Sequence, residues 1–463
     1  MAATQLVWLR NDLRLEDHPG IYQARQQGDI AIVFIATMQQ LQEHNEAPAK
    51  LALKSALLQD MAKRLHGLAI PLHVLEAERF SQCPQLLVDL CQRHGYQQVW
   101  WQNELPLHEA KRDATVAQQL TTAGVGCQRL APDLIVSGQV LNQQGTPFKV
   151  FTPFYRRWLA MLQQQLQNAY PAPEPQTGDV ELARIPQWGA DLREDLWPTT
   201  QELIQARLWS FCKKREASYG EQRDLPATPG TSTLSPYLAL GAIGPRQCLD
   251  ALRYCCEESG RAWQDSIWLK EMAWRDFYRQ LMGFFPELSR LEPFKPETNA
   301  VQWRDDEAGF QAWCEGRTGF PIVDAAMRQL NQTGWMHNRL RMIAASFLTK
   351  LLLIDWRKGE AYFMSKLIDG EFAANNGGWQ WSASTGCDAV PYFRVFNPLR
   401  QSEKFDPAGD FIRRFVPELQ RLDSKQIHDP SERLRQVCQY PTPIVDYKSA
   451  RQRAIDAFAS LKS

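Results

Sequence analysis

The stretch "SIWLKEMAWRDFYRQLM", residues 266–282, sets an acid and bases among large rings. On a helix, Trp268, Glu271, Arg275 and Tyr278 fall at spacings of three, four and three and share one face. Glu271 and Arg275 stand at i,i+4, where they can pair. A solvated face explains the charges but not the aromatics. A buried face explains the aromatics but obliges the acid to find a partner. Glu271, set between Trp268 and Trp274, is therefore a site candidate.

Three further stretches carry chemistry. "TGWMHNRLRMIAASFLTKLL" (333–352) reads as one helix, with Trp335, Asn338, Arg339 and Met342 in a narrow arc and Arg341 at its border. From Trp335 to Lys358, five Lys/Arg face one acid, Asp355, which makes a local basic stripe. "GTSTLSPYLALGAIG" (230–244) places small hydroxyl residues ahead of an apolar helix, and free backbone N–H groups with hydroxyls suit phosphate. "GEFAANNGGWQWSAS" (370–384) holds three glycines and is expected to be neither helix nor strand, but a loop whose backbone can lie close to a flat ring. A pyrophosphate at a helix start, an Asn/Arg face and a glycine-asparagine loop together suggest a flavin dinucleotide. Neither GxGxxG nor GxxxxGK[ST] occurs, so a Rossmann-fingerprint or P-loop site is not supported.

The elements that must position these residues fall into two kinds. "LVWL" (6–9), "IAIVFIA" (30–36), "IPLHVLE" (70–76) and "QVWW" (98–101) are short apolar runs. They alternate with helical stretches at 49–67 and 83–95, the second ending on a glycine. That alternation predicts an α/β N-terminal domain with a parallel sheet over 1–130, Rossmann-like but without the fingerprint. Its charged loop "RNDLRLEDHPG" (10–20) reads as a salt-bridged turn. Proline-rich breaks mark an inter-domain linker over 131–200, and periodic apolar stretches predict a larger all-helical domain over 201–463.

Length is sufficient for two or three domains, and Lys+Arg and Asp+Glu both total 52, so no global field draws a polyanion. Any nucleic-acid contact must come from a local patch. Ten cysteines without a CxxC pair and without a secretory signal read as reduced thiols of a cytoplasmic protein; no run is long enough for a bilayer and no metal set is seen. Sixteen tryptophans ask for a use beyond packing.

The motifs "LVWLRNDLRLED", "TSTLSPYL", "WLKEMAWRDFYRQL", "GRTGFPIVDAAMRQLNQTGWMHNRLRMIAASFLTK" and "LIDGEFAANNGGWQWSASTGCDAVPYFRVFNP" resemble the photolyase/cryptochrome family nearly end to end. Within it they are most similar to the bacterial class I cyclobutane pyrimidine dimer (CPD) group. The resemblance implies an α/β antenna domain, a linker and a helical FAD-binding domain. It implies FAD contacts from Tyr219, Thr231, Ser232, Thr233, Leu234, Ser235, Trp268, Arg275, Trp335, Asn338, Arg341, Asp369, Gly370 and Glu371, with an Arg341–Asp369 salt bridge near the flavin ring. Asn375 would face flavin N5, and Trp379, Trp356 and Trp303 would carry electrons to photoexcited flavin.

The implied activity is light-driven repair, in which reduced, anionic FAD donates an electron to a flipped dimer and recovers it after the ring splits. Glu271 would hydrogen-bond the pyrimidines, and Trp274 and Trp381 would stack on them. Arg223, Arg339, Arg394 and Gln401 would contact DNA, with Tyr278, Asn338 and Met342 in the same DNA-facing set. His44, His108 and Glu109 resemble the binding pattern of a methenyltetrahydrofolate antenna, a deazaflavin being the other choice; His108 departs from the asparagine often found there. Expected partners are dimer-containing DNA and no membrane, with a monomeric chain.

A cryptochrome signalling protein is the rival reading. Against it stand Asn375 and a chain that stops at Ser463, soon after its last helical stretch. A (6-4) photolyase would need a histidine pair where this chain has Met342. A generic flavin oxidoreductase would need neither the three tryptophans nor the basic, aromatic-lined helix.

Overall fold

The computed structural model describes residues 4–462, so the expectation attached to Ser463 lies outside the described residues. Two compact units result. The first comprises Met1–Ala217, Ser232–Ser289 and Ile368–Ala373, the second Ser218–Thr231, Arg290–Leu367 and Ala374–Ser463.

The first unit is built on β1 (Gln5–Leu9), β2 (Ile30–Thr37), β3 (Leu72–Ala77), β4 (Gln98–Gln102) and β5 (Gly126–Leu130). They pair in parallel in the order β3-β2-β1-β4-β5, with Leu6 opposite Ala31 and Val99. β1 and β2 are buried along their whole length, which is why they read as unbroken apolar runs. β5, "GCQRL", lies at the edge and is largely exposed, so it gave no apolar signal. Helices Pro48–Gly67, Cys83–His94 and Leu107–Thr122 cover the sheet; the second is closed by Gly95 in the left-handed conformation. The charged loop after β1 is a salt-bridged turn, as expected. His18 Nε2 lies 3.0 Å from Asp12, Arg14 pairs with Asp133 at 2.8 Å, and Asp17 pairs with Arg246 at 2.7 Å.

The second unit is helical. Its core gathers Trp313, Trp356 and Trp379 with Phe347, Phe363 and Phe411. No disulfide forms among the described residues, and eight of the ten cysteines are buried. Among the described residues no helix is long and apolar enough to cross a membrane, and no His/Cys/Asp/Glu group could hold a metal ion.

Three local expectations are corrected. Residues 370–384 are not a loop: Phe372–Ala383 is a helix. Two glycines cost about 1 kcal/mol each there, but burying Trp379 returns about 1.5–3 kcal/mol. Buried Gln380 also donates to Asn376 at 2.9 Å and accepts from Phe294 N at 2.8 Å. Tertiary contacts override propensity. Nor is 333–352 one helix. Gly334, at φ 68°, ends the helix Pro321–Thr333, and a new helix, Asn338–Ser346, begins after His337, whose ring accepts from Arg339 N at 3.3 Å. A wide π turn, Phe347–Leu351, follows, and Trp335 therefore stands in the link rather than on the helix. The apolar helix expected within 230–244 shrinks to one turn, Ser235–Ala239. Gly241, at φ 65°, breaks it where a Cβ would meet Asn11 O at 2.2 Å.

Gly359 marks the tightest packing around Trp379: an added Cβ would sit 2.2 Å from Trp379 Cη2 and 2.6 Å from Leu348 Cδ2. Gly359→Ala is expected to destabilise the protein by about 1–3 kcal/mol, the usual cost of overpacking. Urea unfolding measures it, and an unchanged midpoint would mean that the two helices have room to part.

Candidate flavin and nucleic-acid site

In the first unit the candidate residues converge on Asp133. Ser266 caps the helix Ile267–Phe284, accepting from Trp268 N at 3.1 Å, and buries Trp268 against Phe211. Arg275 donates to Asp133 O at 2.8 Å and Oδ2 at 3.0 Å, an enclosed carboxylate being a strong charge-assisted partner for a nearly buried guanidinium. Arg14 reaches the same carboxylate at 2.8 Å, and Arg279 donates to Asp133 O at 2.9 Å and to Glu371 at 2.7 Å. Burial alone would raise the Asp133 carboxyl, but Arg14, Arg275 and Arg279 together hold it well below the usual range. Burial pushes neighbouring Asp276 up to about 6. Arg275 Nε is buried with no partner, which leaves one guanidinium donor aimed at nothing in the protein.

The rest of the first-unit set is arranged more loosely. In the hydroxyl run, Ser232 Oγ accepts from Leu234 N at 3.4 Å, and Thr233 sits at φ 52°. Asp369 is buried and Glu371 half-buried on the turn before Phe372. Trp274 stacks face to face on Phe151 with centroids 3.7 Å apart, so one of its faces is already covered; Tyr278 stacks beside it at 5.4 Å. His44, His108 and Glu109 are brought together: His44 Nδ1 lies 3.6 Å from Glu109, and the two imidazoles meet edge to face at 5.4 Å. Burial, reinforced by Glu104, raises Glu109 to about 7.

In the second unit Asn375 donates to Glu360 Oε1 at 2.9 Å and to Glu360 O at 3.0 Å. Glu360 is buried, and burial lifts its carboxyl to about 7 against the opposing pull of Asn375. It was missed in the sequence, although Trp356, Glu360 and Phe363 at spacings of four and three put an acid on an apolar face. Trp356 and Trp379 are buried in one core, and Trp303 packs half-buried at its margin. Of the cofactor set, Tyr219 is buried under Arg223, whose guanidinium lies 5.4 Å from the ring, and Arg341 Nε donates to Met336 O at 2.8 Å. Trp381 and Gln401 are half-buried and Arg394 is exposed.

The basic stripe read over 335–358 is largely consumed by internal partners. Arg339 pairs with Asp224 at 2.8 Å, Lys350 is fully buried on Ala383 O and Ser384, Arg357 bonds Asp355, and Lys358 reaches Glu307 at 3.3 Å.

Residues 5–176 match the family model described as DNA photolyase, and residues 268–460 match that of the FAD binding domain of DNA photolyase. The chain belongs to the DNA photolyase family. It is 42% identical to the deoxyribodipyrimidine photo-lyase of Salmonella typhimurium, over 99% of each chain. It superposes on a class III photolyase from Agrobacterium tumefaciens with a TM-score of 0.87 at 35% identity, covering 100% of this chain and 98% of that one. With a Synechocystis cryptochrome the TM-score is 0.86 at 26% identity, covering 98% and 99%.

Glu360 offers a pH test. Its folded pKa is raised, so the native state holds a proton that the unfolded chain has lost between the usual value of 4.5 and about 7. Its contribution to stability is therefore greatest at the acid end and is lost as pH rises through that window. Thermal midpoints of Glu360→Gln against wild type should converge near pH 4.5 and diverge in favour of the variant toward pH 8. Parallel curves would place the proton elsewhere.

Proposed function

We propose that this chain is a deoxyribodipyrimidine photo-lyase, splitting cyclobutane pyrimidine dimers in DNA under light. Bound and reduced, FAD supplies the electron that opens the cyclobutane ring and takes it back afterwards, so nothing is consumed. The reading rests most on the Glu360–Asn375 pair, one helical turn before buried Trp379, in a segment matched to a FAD binding domain. An amide held by a carboxyl that keeps its proton up to about 7 is a neutral, fixed neighbour for a reduced flavin. Within the first unit, buried Arg275 Nε lacks an acceptor that a phosphate oxygen of the cofactor would supply.

FAD contacts are assigned to Tyr219, Thr231 to Ser235, Trp268, Arg275, Trp335, Asn338, Arg341 and Asp369 to Glu371. Glu271 orients the flipped pyrimidines, and Trp274 and Trp381 stack on them. Because Phe151 covers one face of Trp274, only the other face or edge serves. Trp303, Trp356 and Trp379 relay electrons from the margin of the core, and their shared packing supports that role. His44, His108 and Glu109 receive a methenyltetrahydrofolate antenna, consistent with their convergence. Residues 1–130 then serve as antenna domain, 131–200 as linker and 201–463 as FAD- and DNA-binding domain of a monomeric cytoplasmic enzyme.

An oligonucleotide carrying one thymine dimer, mixed with reduced protein and divided between blue light and darkness, tests the activity. Dimer loss confined to the illuminated half is expected; none there, with reduced FAD verified by absorbance, overturns the reading. Trp303→Phe should block photoreduction of oxidised flavin while leaving repair by chemically reduced enzyme intact. Unchanged photoreduction would route the electron elsewhere.

A further inference from the structure

Lys50 is a buried cation that the reaction described above does not use. It stands in the first turn of the helix Pro48–Gly67, with Glu46 2.7 Å from its ammonium in the segment before that helix. Lys54, one turn on and equally enclosed, reaches the same carboxylate at 3.4 Å. Glu46 thus serves two ammonium groups, and both lysines are nearly inaccessible. Burying such a charge costs several kcal/mol unless its donors are satisfied.

The two lysines differ in what else they hold. Lys50 Nζ donates to Gly370 O at 2.5 Å, 320 residues away in the chain, whereas Lys54 makes no bond outside Glu46. The carbonyl so gripped lies between Asp369 and Glu371. That carbonyl lies in the peptide plane joining Gly370 to Glu371, so fixing it constrains the direction in which the Glu371 side chain leaves the backbone and ties down the turn that carries Asp369. From the other side Glu371 is held by Arg279 at 2.7 Å, and Ile368 is wholly buried beneath the turn. Burial raises the Glu371 carboxyl, but Arg279, Arg275 and Lys50 bring it below its ordinary value, so the lysine charge is felt at this turn.

We propose that Lys50, anchored by Glu46, is a positioning residue that sets the Asp369–Glu371 turn in its cofactor-binding geometry. The inference rests on the assignment of Asp369 to Glu371 to FAD. An ammonium–carbonyl bond in an enclosed site is stronger than a neutral one and survives only while Lys50 keeps both its partner and its reach. Lys54 supplies the matched control, since it shares the helix, the burial and the carboxylate but not the turn.

The test uses the full-length FAD-loaded protein and measures the rate of FAD release, from the fluorescence of freed flavin, together with the vibronic structure of the bound flavin spectrum. Lys50→Met should release FAD about tenfold faster and blur that structure, as loss of a charged hydrogen bond predicts. Lys54→Met should lower the melting temperature comparably yet release FAD at the wild-type rate. Equal release from the two variants would make Lys50 a mere contributor to stability, and a wild-type rate for Lys50→Met would remove it from the turn; either overturns the proposal. Should Lys50→Met not fold, Lys50→Arg against Lys54→Arg decides in the same way. Asp369→Ala separates the underlying assignment: if it keeps FAD at the wild-type rate, the turn does not bind the cofactor and both readings fall. If Asp369→Ala loses FAD and Lys50→Met does not, the Lys50 proposal alone is overturned.

Discussion

Enclosed charge governs the first unit. Asp133 accepts from Arg14 and Arg275 on its side chain and from Arg275 and Arg279 on its carbonyl, while Arg279 continues to Glu371. Each ion taken from water costs several kcal/mol, repaid only when its partners arrive with good geometry. The loop after β1, the segment after β5, the helix Ile267–Phe284 and the turn at 369–371 must therefore reach their places together. None can be displaced without stranding a charge that another has already buried. A single residue whose carboxylate and carbonyl together serve three guanidinium groups thus acts as a geometric lock on the very helix and turn that carry the candidate cofactor residues.

The second unit solves a different problem with aromatic volume. Trp379 meets Phe363 edge to face at 4.9 Å and Trp313 at 5.9 Å, and Gly359 is flat enough to let the neighbouring helix approach. Close-packed rings in rotamer minima do not move freely. That rigidity suits a function in which electrons must cross fixed gaps, and it also holds Asn375 one turn before Trp379 against Glu360. The same packing thus orders the tryptophans and the amide.

What could be read from sequence was local, and what could not was long-range. β1, β2 and β4 announced themselves because burial on both faces leaves an unbroken apolar run; β5 did not, because an exposed edge strand needs none. The helix Phe372–Ala383 was hidden by its glycines and asparagines, whose poor propensity is offset by contacts from Phe294 and by Trp379 burial. Asp133 carried no motif at all: its role exists only once Arg14 and Arg275, 119 and 142 residues away, fold onto it. Glu360 was legible in principle, as an acid on an apolar helix face. The family motifs located the candidate residues, but not which of them would pair with which.

Charge along the sequence proved a poor guide to charge on offer. Arg339, Arg357 and Lys358 are neutralised inside the unit, and Lys350 lies under the Phe458 ring at 3.7 Å with no carboxylate bonded to it. A cation paired with a carboxylate has part of its charge cancelled and draws a polyanion less than an unpaired one, most where the pair is half-buried, as for Arg339 and Arg357, and least at the exposed Lys358–Glu307 pair. The segment 394–404 differs: Arg394, Arg400 and Lys404 are exposed along it, with Gln401 among them and aromatic Phe393 standing 58% exposed beside Arg394. In a chain whose opposite charges balance at 52 each, phosphate attraction must be concentrated where cations remain uncommitted. The exposed cations of 394–404, with the exposed Phe393 ring beside them, therefore offer a phosphate more uncancelled charge than the 335–358 stripe does.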